Sequence, residues 1–123
     1  MPSDSQPTCQ GICVALVAKP TRLGMAAVEL RADGYPQVLA QARQRLEEGV
    51  PIDELLLRLL VAVEQQADLM IRLVVFQPSG VAELDRTIQL ALRAHHAEVM
   101  LSPHRAVSAL ELAYWWADLF DWR

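Results

Sequence analysis

Polar positions in the stretch 51–76, PIDELLLRLLVAVEQQADLMIRLVVF, recur with the period of a helix. Glu54, Arg58, Gln65, Asp68 and Arg72 fall on one narrow stripe, and Leu, Ile, Val, Met, Ala and Phe fill most of the remaining wheel. Val61 is the one apolar interruption of the stripe. Glu54–Arg58 and Asp68–Arg72 are i,i+4 pairs in the favourable acid-first order. The pattern predicts a buried central helix of roughly 39 Å at 1.5 Å per residue, covered on most of its circumference. A competing reading ends the helix near Asp68 and makes 69–76 a buried strand. The β-branched residues Ile71, Val74 and Val75 favour that strand, whereas Arg72, in register with the stripe, favours one helix.

The flanking segments are read against this element. Residues 1–10 are polar, contain Pro2 and Pro7, and are expected to form a flexible tail, leaving 11–123 as a single globular domain. Ile12–Ala18 is a β-leaning apolar run ended by Lys19-Pro20, and Met25–Arg31 alternates loosely before the Asp33-Gly34 turn signal. Together they suggest a β-hairpin over 12–31, although the alanines of MAAVELRA would equally suit a short helix. Pro36 opens a predicted helix whose apolar face is Tyr35, Val38, Leu39, Ala42 and Leu46, with Gly49 as its stop. A further helix is predicted over 81–100, after Pro78-Ser79-Gly80. A last one covers 103–120, behind the Ser102-Pro103 start signal. The expected fold is therefore mainly α (α+β): an N-terminal hairpin or extended segment, then about four helices around a long central one. The alternative is a strand at 69–76 giving an α/β layer.

Composition limits the classes open to this chain. Its 123 residues suffice for one core, and 53% are hydrophobic at a mean hydropathy of +0.18. That apolar surplus points to an oligomer, a homodimer in the simplest case, or to a permanent protein partner. Charges at Arg58, Glu64, Asp68 and Arg72 interrupt the best apolar run, so no membrane-spanning helix is expected. The start of the chain lacks the basic region of a secretory signal. Two cysteines, Cys9 and Cys13, make no disulfide framework, and a cytoplasmic setting is expected. Ten arginines against one lysine fit a GC-rich bacterial genome. The net charge is −4, and the sequence shows no basic patch of the kind that phosphate-backbone binding needs, so no direct nucleic-acid contact is expected.

Motifs add little chemistry. A helix-turn-helix reading of Glu48-Gly49-Val50-Pro51 would place leucines where base-reading polar side chains are needed. Cys9, Cys13, His95, His96 and His104 lack a zinc spacing, so no metal or cofactor is expected. His104, Glu111 and Asp118, with Ser108 and Trp115 alongside, would share a face of the last helix. They would stand about 10.5 Å apart per seven residues, too far for direct acid–base cooperation. No phosphate-binding glycine loop and no nucleophile elbow is present.

The strongest anomaly is the end of the chain, AYWWADLFDWR, which holds Tyr114, Trp115, Trp116, Phe120 and Trp122, five of the seven aromatic residues. One helix end cannot bury all five, so Trp115, Phe120 and Trp122 are the expected partner-binding residues, with Trp116 in the core. The leading expectation is a small non-enzymatic protein–protein interaction module, acting as an adaptor, an inhibitor or a small subunit of a larger assembly. The alternative is a regulator of nucleic-acid transactions from a mobile element or phage. A second alternative is a small metal-dependent enzyme using the His95–His104 segment.

Overall fold

The computed structural model describes residues 9–31, 37–46, 51–95, 99–102, 106 and 108–113. Five strands and two helices follow in the order β1 (Cys9–Lys19), β2 (Arg22–Arg31), β3 (Val38–Arg45), α1 (Ile52–Ala67), β4 (Ile71–Gln77), α2 (Ala82–His95) and β5 (Val99–Leu101). A further helical segment spans 109–113. The strands form one mixed sheet in the order β3-β2-β1-β4-β5, in which only β2 runs against the others.

The chemistry of β1 explains its place at the centre. Every residue from Gly11 to Ala18 is buried, so the strand carries apolar side chains on both faces. Ile12, Val14, Leu16 and Ala18 point to one side, where Leu56, Leu60 and Val63 of α1 and Ile88 and Leu92 of α2 cover them. Cys13, Ala15 and Val17 point to the other side, against Ala109, Leu112 and Ala113. The domain is thus three layers, with a sheet between a helix pair and the 109–113 segment. Crossovers between parallel strands are right-handed almost without exception. The β3-α1-β4 and β4-α2-β5 connections step across the sheet in the same direction, so that rule places both helices on the same face.

This architecture corrects the expectation of a mainly helical protein. The long helix over 51–76 does not exist: α1 stops at Ala67, Asp68 adopts the left-handed conformation at φ 54°, and β4 begins at Ile71. The carboxylate Oε2 of Glu64 accepts a hydrogen bond from Ile71 N at 3.0 Å and secures the turn between them. Arg72 matched the helical stripe because it is the one exposed residue in β4. The alternative strand at 69–76 falls close to β4, which runs from Ile71 to Gln77, and the hairpin over 12–31 is present as β1 and β2, with no helix at 25–31. The predicted helix opened by Pro36 is instead strand β3. Its Ala, Gln, Arg and Leu residues suit a helix, but the outer side of β2 offers a ladder of backbone partners, broken only by a register shift between Ala27 and Val28, and pairing overrides propensity. The helix predicted over 81–100 ends at His95, and Val99–Leu101 pair with β4. For the predicted 103–120 helix the described part is 109–113.

Gly11 marks an irregularity near the start of β1. The register slips between Cys9 and Gly11, and Gly11 has φ +141°, a conformation that L side chains rarely adopt. A Cβ there would also lie 2.5 Å from Cγ and Cδ of Arg72, so the glycine makes room for that side chain to lie across the strand.

Leu60 and Leu57 lie on the same helix but are 1% and 47% exposed. Leu60→Ala is therefore expected to lower unfolding free energy by about 2–5 kcal/mol and Leu57→Ala by less than about 1 kcal/mol. Denaturant titration of both variants checks this, and equal losses would contradict the packing described.

Candidate functional site

Cross-strand register brings together residues that are far apart in sequence. Lys19 pairs with Arg22 across the β1–β2 hairpin, and Arg22 pairs with Arg45 across β2–β3. One row across three strands therefore carries Lys, Arg and Arg, all exposed and, by the pleat, on the same sheet face. In the next row on that face, Val17, Gly24 and Arg43 stand side by side. This is the face that packs on the helical segment 109–113, since a Cβ on Gly24 would sit 3.7 Å from Cβ of Ala109.

Between β3 and this segment lies an open cleft of about 700 Å³. Its cationic lining is Lys19, Arg22, Arg43 and Arg45, its floor includes Gly24, and Ser108 and Leu110 lie on the opposite wall. No Asp or Glu is among the described lining residues.

The β2–β3 hydrogen-bond pattern sharpens the arrangement. Leu46 N donates to Thr21 O at 2.9 Å, so position 46 turns its backbone polar groups towards β2. In an antiparallel ladder these groups alternate along the strand. Gln44 and Ala42 therefore bond to β2, whereas Arg45, Arg43 and Gln41 turn their N–H and C=O outwards. Arg22 and Arg45 thus form a non-hydrogen-bonded pair, the type in which opposing side chains come closest. Like charges directly opposite each other destabilise a sheet. A bound anion would reverse that penalty.

Other polar groups in the region are occupied structurally. Gln77 is buried at the end of β4, where its Nε2 donates to Ala106 O at 3.3 Å and its Oε1 accepts from Ala106 N at 2.8 Å. The side chain thus ties the chain leaving β5 to the sheet as it crosses to the opposite face. Asp85 Oδ1 accepts from Ser79 N at 2.8 Å and Ser79 Oγ at 2.7 Å, and Oδ2 accepts from Gly80 N at 3.0 Å. That carboxylate organises the β4–α2 turn and lies in the first turn of α2, where negative charge is favourable. Ser108 Oγ accepts from Glu111 N at 3.2 Å, in the manner of a helix cap. Burial raises the Cys13 thiol to about 12, so it stays protonated and unreactive.

The residues singled out in the sequence are not gathered into a site. Trp115, Phe120 and Trp122 lie outside the described residues, as do Tyr114, Trp116, His96, His104 and Asp118. His95 ends α2, and Glu111 is exposed on the helical segment. Among the described residues, no group of three or more His, Cys, Asp or Glu could hold a metal ion, and no helix is long and apolar enough to cross a membrane.

The cationic cleft was missed because Lys19 and Arg22 are separated from Arg43 and Arg45 by some twenty residues. The available signal was the alternation Gln41, Arg43, Arg45 against Ala40, Ala42, Leu46, a period of two interrupted by Gln44.

Fold and cleft together define a three-layer α/β domain with a cationic surface site. No family model matches the sequence, and no curated protein matches it. The structure is similar to one described as the Vms1 mitochondrial localization core, with a TM-score of 0.58 and 13% identity, over 89% of this chain and 55% of that one. The chain thus spans about half the length of that protein. Weaker likenesses are to an Aquifex aeolicus member of the Ppx/GppA family (TM-score 0.45, 10% identity, 75% of this chain and 35% of that one) and to a foamy viral protease-reverse transcriptase in complex with dsDNA (0.40, 12%, 85% and 26%). At such identities the first likeness shows the fold alone, and the other two carry no argument.

Replacing Gln77 with Leu removes both partners of Ala106 and leaves a buried N–H and C=O unpaired. A loss of about 1–3 kcal/mol is expected in denaturant unfolding. An unchanged midpoint would show that Gln77 does not hold the crossing.

Proposed function

We propose that this domain is a non-enzymatic interaction module that grips an anionic partner through the cleft between β3 and the 109–113 segment. The observation that carries the reading is the like-charged row Lys19–Arg22–Arg45, with Arg43 beside it. Two arginines opposite each other in a non-hydrogen-bonded pair cost stability, and a bound anion offsets that cost. Four of the five basic residues in the first fifty line this one cleft, although the chain as a whole carries a net charge of −4. A local positive field on a negative molecule orients an incoming anion and raises its encounter rate. Trp115, Phe120 and Trp122 at the end of the chain offer a second contact of the kind that anchors protein interfaces.

Two measurements test this reading. The double variant Arg22→Glu/Arg45→Glu should bind labelled polyglutamate at least about tenfold more weakly than the parent at low salt, a difference of about 1.4 kcal/mol. Arg45→Gln alone should raise the melting temperature slightly, by roughly a few tenths of a kcal/mol in stability, because it relieves the opposition to Arg22. Polyglutamate affinity that survives the double charge reversal would refute the proposal, as would failure of the parent to bind any anionic polymer.

A further inference from the structure

The cleft and the free sheet edge share the same residues. Arg43 and Arg45 are two apart on β3, so both side chains lie on the cleft face, and both residues turn their backbone N–H and C=O away from β2. Among the described residues, no strand pairs with that outer side. An extended peptide docked there would exchange backbone hydrogen bonds with Arg43 and Arg45. The side chain it placed opposite each would lie one strand spacing, about 4.8 Å, further along the row. Acidic residues at those alternate positions would extend Lys19–Arg22–Arg45 by a carboxylate and set an opposite charge beside each arginine.

We propose that β3 takes up an extended acidic segment of a partner polypeptide as a sixth strand, with carboxylates at every second residue facing Arg43 and Arg45. The proposal rests on the reading of the cleft as an anion site and adds the chemistry and the pose of its occupant. β-Strand addition divides the work in the usual way: main-chain bonds supply affinity, and alternate side chains supply specificity.

Two other occupants fit less well. A second copy of β3 would set arginine against arginine or glutamine, and charged residues on an edge strand disfavour self-pairing of that kind. A nucleic-acid strand would satisfy the guanidinium groups but could offer no regular ladder to the outward C=O groups. The described lining also holds no aromatic ring on which bases could stack.

The test uses the whole chain and four probes: a nine-residue peptide of alternating Glu and Val, a peptide of the same composition with its glutamates in one block, the alternating peptide N-methylated at every second amide, and a single-stranded oligonucleotide of matched charge. By fluorescence anisotropy, the alternating peptide should bind at least about tenfold more tightly than each of the other three, since a tenfold difference is only about 1.4 kcal/mol. Arg43→Gln/Arg45→Gln should remove that preference, whereas Arg58→Gln on α1, away from the cleft, should leave it intact. Amide hydrogen exchange supplies the structural readout. Saturation with the alternating peptide should slow exchange at Arg43 and Arg45 and leave Gln44, already bonded to β2, unchanged. Equal binding of the N-methylated peptide, or exchange at Arg43 and Arg45 unaffected by saturation, would overturn strand addition while leaving the cleft as an anion site. Preference for the oligonucleotide would overturn the peptide in favour of nucleic acid. Failure of all four probes to bind would overturn both this proposal and the reading beneath it.

Discussion

The structure depends on β1 having no exposed face and no free edge. Its residues from Gly11 to Ala18 are all buried, with β2 on one side, β4 on the other, and a separate apolar cluster against each face. A strand in that position must be apolar at every residue rather than at every second one, and its neighbours must supply complementary layers above and below. The small residues Ala15, Ala26, Ala109 and Ala113 on one face, and the larger Leu16, Leu56, Leu60 and Phe76 on the other, show how unequal those layers are. The face filled by small side chains is the one that opens into the cleft.

Around this strand, the turns are held by side chains that replace backbone partners. Glu64 bonds the amide that opens β4, Asp85 gathers three donors from the Ser79-Gly80 turn, and Gln77 treats Ala106 as though it were a neighbouring strand. Each lies at the end of an element, where unpaired main-chain groups would otherwise be buried. These polar residues are thus explained by the fold. Lys19, Arg22, Arg43 and Arg45 take part in none of these turn contacts and stand exposed at the cleft. Repulsion between the opposed Arg22 and Arg45 is a local loss of stability, and charge on an edge strand also discourages pairing with another copy.

The long helix inferred over 51–76 failed for a physical reason that applies beyond this chain. An apolar strand buried on both faces has no period of its own, so it can be appended to any preceding amphipathic helix without breaking the pattern. Arg72 completed the illusion: at the entrance of β4 it lies over Gly11, exposed for reasons unrelated to helical phase. Asp68, whose left-handed conformation ends α1, is a residue type that tolerates that conformation. The segment containing β3 misled in the opposite way, since QARQR is rich in helix formers and becomes a strand only because β2 presents an edge to it.

By itself the sequence determined the apolar run of β1, the amphipathic body of α1 and the start of α2 behind Pro78-Ser79-Gly80, because these rest on local turn chemistry and on periodicities that a few neighbouring residues express, while it left 25–31 open between a strand and a short helix. Its 53% hydrophobic content pointed to an oligomer or a permanent protein partner rather than to a sheet. Tertiary structure alone decided that 38–45 and 71–77 are strands, that the sheet order is β3-β2-β1-β4-β5, and that four cations widely spaced in sequence share one cleft. Strand pairing is a non-local interaction: the register that sets Arg22 against Arg45 is a relation between segments more than twenty residues apart. No pattern within either segment contains it.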